Sequence, residues 1–86
     1  MGNDGLTDVI RDYLIRSFLP DERPENLPEE LDLIKSGVLD SLALVQTATF
    51  LEDLVGSEIE GHELTPDNVG SIAAMAAFVR RRRAEA

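Results

Sequence analysis

The residue with chemistry to offer is Ser41. It follows Asp40 in Gly37-Val38-Leu39-Asp40-Ser41-Leu42, where a polar loop gives way to a strongly patterned helical stretch. A hydroxyl at a helix mouth lies beside free backbone N–H groups and the positive end of the helix dipole, surroundings that suit a phosphate ester. Asp40 can cap the helix, and its carboxylate is placed to help hold a metal ion or orient the hydroxyl during group transfer. The same charge repels a resident phosphate, so the arrangement permits modification of Ser41 without requiring it.

The other reactive residue types form no constellation. His62, the single histidine, stands between acidic residues in a loop with no second ligand and no Ser or Cys partner, and reads as surface. Without cysteine there is no thiolate nucleophile, thiolate metal site or disulfide. No Gly-rich phosphate loop or metal-ligand spacing occurs, and the carboxylates between Pro20 and Asp40 do not match a calcium loop. No catalytic residues and no metal site are therefore assigned, and an independent enzyme is not expected.

Charge narrows the partners. The net charge is −9, from 17 acidic and 8 basic residues. Four of the basic residues are the run Arg80 to Arg83, so residues 1–79 hold 16 acids against Arg11, Arg16, Arg23 and Lys35. Such a body repels nucleic acid and anionic membrane and suits partners with basic docking faces. The arginine run is expected to complement a helix C-terminus at a frayed, solvated chain end. No apolar run approaches the ~18 residues of a membrane span, and no signal peptide is read at the start, so a cytoplasmic monomer is expected.

The elements that must position Ser41 follow from hydrophobic periodicity. One all-α domain over residues 1–86 is expected, a small four-helix bundle with helices at about 4–19, 41–55, 66–69 and 71–83. In the first helix Leu6, Val9, Ile10, Tyr13, Leu14 and Phe18 recur at helical spacing behind a cap at Asn3 or Asp4, and Pro20 stops it. A long loop follows, rich in proline and carboxylates, in which Leu27, Leu31, Leu33, Ile34, Val38 and Leu39 are the expected apolar pins. In the second helix Leu44, Ala48, Leu51 and Val55 form the expected core stripe, with Thr47 and Leu54 at its edge. Gly56 ends that helix. A connector anchored by Ile59 and Leu64 leads to Thr65-Pro66-Asp67, where Thr65 is the expected cap and Pro66 the first helical residue. Gly70 limits the third helix to about one turn, and Ser71 can cap a last helix carrying Ile72, Met75, Ala76, Phe78 and Val79.

Leu42, Val45 and Thr49 fall opposite the core stripe of the second helix, among Gln46, Glu52 and Asp53. A helix that buries a single stripe has no packing use for Leu42 and Val45 there. Beside Ser41, they read as a partner surface.

Leu39-Asp40-Ser41-Leu42, in this helix order and acidity, resembles the attachment motif of acyl carrier proteins. The resemblance covers nearly the whole chain, including the short third helix at Leu64-Thr65-Pro66-Asp67-Asn68 and the last helix from Ser71. It implies that Ser41 receives 4′-phosphopantetheine from coenzyme A through a phosphopantetheinyl transferase, and that the arm's thiol carries cargo as a thioester. It implies a docking face of Leu42, Val45, Gln46, Thr49, Glu52 and Asp53 for basic patches on loading and condensing enzymes. Two positions depart from the family pattern: Gln46 stands where an acid is frequent, and Thr47 where a larger apolar residue is frequent. The cargo is left open between acyl intermediates of fatty-acid-like or polyketide-like biosynthesis and the aminoacyl or peptidyl units of a nonribosomal pathway. A third reading, from a different class, is an unmodified helical adaptor that binds through the second helix.

Overall fold

A computed structural model describes residues 5–85. Its secondary structure is helical, with no strand among the described residues. Helix α1 spans Leu6–Phe18, α2 Ser41–Val55, α3 Pro66–Val69 and α4 Ile72–Glu85, with single 3-10 turns at Pro24–Asn26 and Gly61–Glu63. Helix α4 packs against each of the other three. Its run of alanines favours helix and keeps its surface thin enough for close approach, while Ile72, Met75, Phe78 and Val79 fill the centre. Ser71 caps it: the Ser71 Oγ accepts from the Ala74 N–H at 3.1 Å.

Several expectations need correction. The cap position of α1 is Gly5 at φ 78°, and Asn3 and Asp4 lie outside the described residues. Val9 leaves the core stripe of that helix and is 44% exposed, while Leu6, Ile10 and Leu14 carry the burial. Thr65 occupies the cap position of α3, but only its carbonyl serves there, accepting from Asn68 and Val69; its side chain makes no capping bond.

The buried face of α2 is rotated from the expected one. Ala43, Thr47, Leu51 and Val55 are buried, and Leu44 and Ala48 only half so. An aromatic contact lies on the α1 side of this face. Tyr13 of α1 stacks on Phe50 of α2 at a centroid separation of 4.0 Å with planes 5° apart, and meets Phe18 edge-on at 5.8 Å. Thr47 is fully buried, and among the described residues its Oγ1 is the buried side-chain oxygen left without a hydrogen-bond partner.

The loop between α1 and α2 is fastened at several points along its course. Leu27, Leu33 and Leu39 are buried, whereas Ile34 points to solvent. The Arg11 Nε donates to the Leu27 carbonyl at 2.9 Å. Further along, the Leu33 N–H donates to the Gly70 carbonyl at 2.8 Å and the Glu29 carbonyl accepts the Ala73 N–H at 2.9 Å. The latter bond satisfies an otherwise orphaned donor in the first turn of α4. Gly70 belongs at this crossing because a Cβ there would run into the Pro66 carbonyl.

Candidate functional site

Leu39 and Ala43, both buried, pin the chain on either side of Ser41. Between them the backbone enters α2 through Asp40, which is extended at φ −88° and ψ −174°. The Asp40 Oδ1 accepts from the Ala43 N–H at 2.8 Å, and the Asp40 carbonyl accepts from the Leu44 N–H at 2.9 Å. Asp40 is therefore the cap, and Ser41 is the first helical residue. Ser41 is exposed, and its hydroxyl makes no hydrogen bond to a described residue. The N–H groups of Ser41 and Leu42 have no intrahelical acceptor and none elsewhere among the described residues. Gly37, at φ 86°, makes the turn that brings the loop to this point.

Together these residues offer a free hydroxyl, two unsatisfied backbone donors and a helix dipole at one exposed point. Such donors suit the oxygens of a phosphate ester at that point. Among the described residues no group of His, Cys, Asp and Glu converges as a metal site.

The residues around Ser41 sort into those that face outward and those that do not. Leu42 is 67% and Val45 60% exposed, and Gln46, Thr49 and Asp53 are exposed as well. Glu52 turns the other way: half-buried, its Oε2 accepts from the Ile59 N–H at 2.7 Å and fixes the α2–α3 connector. On the α1 side, an open groove of about 380 Å³ runs beside the outward face. Phe18, Leu19, Val38, Leu42 and Ala43 supply apolar wall, and Ser17, Asp40 and Gln46 supply polar rim. Sequence periodicity gave no sign of this groove, because it lies between the end of one helix, a loop and the start of another.

His62 is exposed in the 3-10 turn Gly61–Glu63 and takes no part in the Ser41 region's hydrogen bonding. The arginine run departs from the frayed end expected of it. Helix α4 continues to Glu85, and three of the arginines reach back to fixed acceptors. The Arg82 Nη1 meets the Glu63 Oε2 at 2.7 Å, and its Nη2 donates to the Ser57 Oγ at 3.1 Å and the Glu58 carbonyl at 3.0 Å. Arg83 donates to the Leu54 carbonyl at 2.9 Å, and Arg81 to the Asn68 Oδ1 at 2.9 Å. These bonds tie α4 to the end of α2, to the connector and to α3. Glu63 also accepts from the Glu60 N–H, and that bond, with the Arg82 charge beside it, holds its carboxyl below the usual glutamate range despite some desolvation.

Neither a scan against protein-family models nor a search of curated proteins returns a match to this chain.

Proposed function

We propose that this chain is a carrier protein of the acyl carrier type, with Ser41 as the attachment point for 4′-phosphopantetheine. The observation that carries the reading is the division of labour at the mouth of α2. Asp40 takes the capping role with its own carboxylate, which leaves the neighbouring hydroxyl exposed and without a partner. Ser41 is thereby relieved of the structural duty that a serine at this place usually has. The outward Leu42 and Val45 supply the second support, since an exposed apolar pair beside a modifiable hydroxyl suits an enzyme that must settle there.

On this reading the four helices form a carrier-type bundle, three longer and one short, with the long loop delivering Asp40 to the head of α2. The Ser41 Oγ attacks the phosphorus of coenzyme A that bears pantetheine. Adenosine 3′,5′-bisphosphate leaves, and the hydroxyl proton passes to a base of the transferase. The arm supplies the thiol that the chain lacks, and that thiol holds cargo as a thioester. The N–H groups of Ser41 and Leu42 solvate the phosphodiester, and Asp40 keeps them in place by holding the first turn. Basic faces of loading and condensing enzymes are drawn to the acidic body and rest on Leu42, Val45, Gln46, Thr49 and Asp53, in the cytoplasm. Acyl cargo fits the Leu39-Asp40 approach to Ser41.

The test is incubation with coenzyme A, magnesium and a broad-specificity phosphopantetheinyl transferase, followed by intact mass. The wild type gains one phosphopantetheine and Ser41→Ala gains none. An unmodified wild type, or a modified Ser41→Ala protein, sinks the assignment and leaves the helical adaptor standing.

A further inference from the structure

The arginines before α4 are each paired with a carboxylate: Arg11 with Asp8, Arg16 with Asp12 and Arg23 with Glu25. Within α4, Arg82 is paired with Glu63. Arg81 and Arg83 are exposed and form no ion pair among the described residues. We propose that this pole of the bundle, built on Arg81 and Arg83, is a docking surface for an acidic segment of a partner protein.

The isolation of positive charge supports it first. The chain holds 17 acids, yet from Asn68 to Ala84 there is no Asp or Glu. The acid of α4, Glu85, lies 3.9 Å from Arg82. The last helix is thus a cationic element on an anionic body.

Preorganisation supports it next. The Arg81 Nη2 donates to the Asn68 Oδ1 at 2.9 Å, and its guanidinium carbon stands 5.6 Å from the centre of the Phe78 ring. The Arg83 Nε donates to the Leu54 carbonyl at 2.9 Å. Each guanidinium is held by a neutral acceptor, and its other N–H donors have no acceptor among the described residues. Fixing a planar fork before binding lowers the entropy lost on docking, and such a fork matches a carboxylate.

Placement selects the partner. Residues 81 and 83 lie about 200° apart around the helix, one beside α3 and the other beside the end of α2. They address two points and not one small anion, and an extended segment with several carboxylates reaches both. Charges more than ~8 Å apart are largely screened at physiological ionic strength, so a short segment meets chiefly the local field of these arginines. A nucleic acid or an anionic membrane would lay many more charges against a chain of net charge −9. The pole also stands away from Ser41. Arg83 contacts Leu54, and from Ser41 to Leu54 the helix rises about 20 Å at 1.5 Å per residue. An acidic partner seated there leaves the mouth of α2 uncovered.

The test is fluorescence anisotropy of a fluorescein-labelled decaglutamate peptide titrated with the full chain at low salt. The wild type is expected to bind, and the Arg81→Gln/Arg83→Gln double variant to bind at least tenfold more weakly. Arg16→Gln/Arg23→Gln removes the same charge from exposed arginines that already have carboxylate partners, and should stay within twofold of wild type. Independently of any variant, adding the peptide to ¹⁵N-labelled wild type should shift amide signals in residues 77–85 and leave Ser41 and Leu42 unmoved. A wild type that ignores the peptide, equal losses in the two double variants, or shifts centred on residues 41–53 overturn the proposal. Tighter binding of single-stranded DNA or phosphatidylglycerol vesicles than of the peptide overturns it too, and makes the pole a general polyanion site. A wild-type dimer that Arg81→Gln/Arg83→Gln disperses in sedimentation replaces the partner protein with a second copy of this chain.

Discussion

Arg82 and Glu63 meet at 2.7 Å across 19 positions of sequence, each with about a fifth of its side chain exposed. The pair joins the last helix to the connector that follows α2. Because the Arg82 guanidinium also serves Ser57 and the Glu58 carbonyl, its removal strips three acceptors of one donor. Arg82→Ala is expected to lower the thermal midpoint on the order of 5 °C. Hydrogen exchange should show the protection loss concentrated in residues 57–64 and not in α1.

Glu63 makes that stability depend on acid. Its carboxyl titrates below the ordinary range because the Glu60 N–H and then Arg82 favour the charged form. A depressed folded value means that the contribution is fully present above the unfolded glutamate pKa of about 4.3 and disappears as pH falls through the folded value. The midpoint difference between wild type and Glu63→Gln should be constant above about pH 5 and shrink below about pH 4. Melts at a series of pH values check this, and a difference that widens in acid would contradict it.

Thr47 places a hydroxyl in the core with nothing to bond. A buried unsatisfied polar group costs about 1–3 kcal/mol, so Thr47→Val is expected to stabilise the fold by about 1 kcal/mol. For a domain of this size that is a rise of about 4–8 °C in the thermal midpoint. A Thr47→Val protein that melts at or below the wild-type temperature would show that the hydroxyl is satisfied in solution.

The two acids near the end of α2 should behave differently when their charge is reversed. Asp53 is exposed and makes no ion pair among the described residues, so Asp53→Lys is expected to keep the wild-type melting temperature and, on the proposed carrier reading, to weaken partner binding, most visibly at low salt. Glu52 holds the Ile59 N–H, so Glu52→Lys should lower the melting temperature as well. Parallel melts and binding titrations separate the two effects.

Gly70 sits where α3 ends against the loop. Gly70→Ala sets a methyl group against the Pro66 carbonyl and disturbs the acceptor of the Leu33 N–H. A loss of about 1–3 kcal/mol is expected from chemical denaturation, typical of forced overpacking.

How much of this was legible beforehand depends on the range of the interaction. The start of α2 is written locally, in an acid placed to cap and a glycine before it to turn the loop; its end is written in Gly56, which adopts φ 86°. Pro66 and Gly70 bracket α3 in the same local way. The outward Leu42 and Val45 followed from helical periodicity alone. Contacts between distant residues were not legible. The buried face of α2 is turned towards the flank where Phe50 stacks on Tyr13 and where α4 packs, and periodicity within one helix cannot weigh its neighbours. The arginine run looked like a solvated end because its acceptors lie 13 to 29 residues away. The groove beside Leu42 is assembled from three segments, so no single window of sequence contains it.

The stack of Tyr13 on Phe50 has an optical consequence. The chain has one tyrosine and no tryptophan. Tyrosine emission and near-ultraviolet dichroism above 270 nm therefore arise from one ring, and that ring is held between the first two helices. Spectra of this protein report whether α1 and α2 are in register, and a partner that shifts one against the other can be followed without any added label.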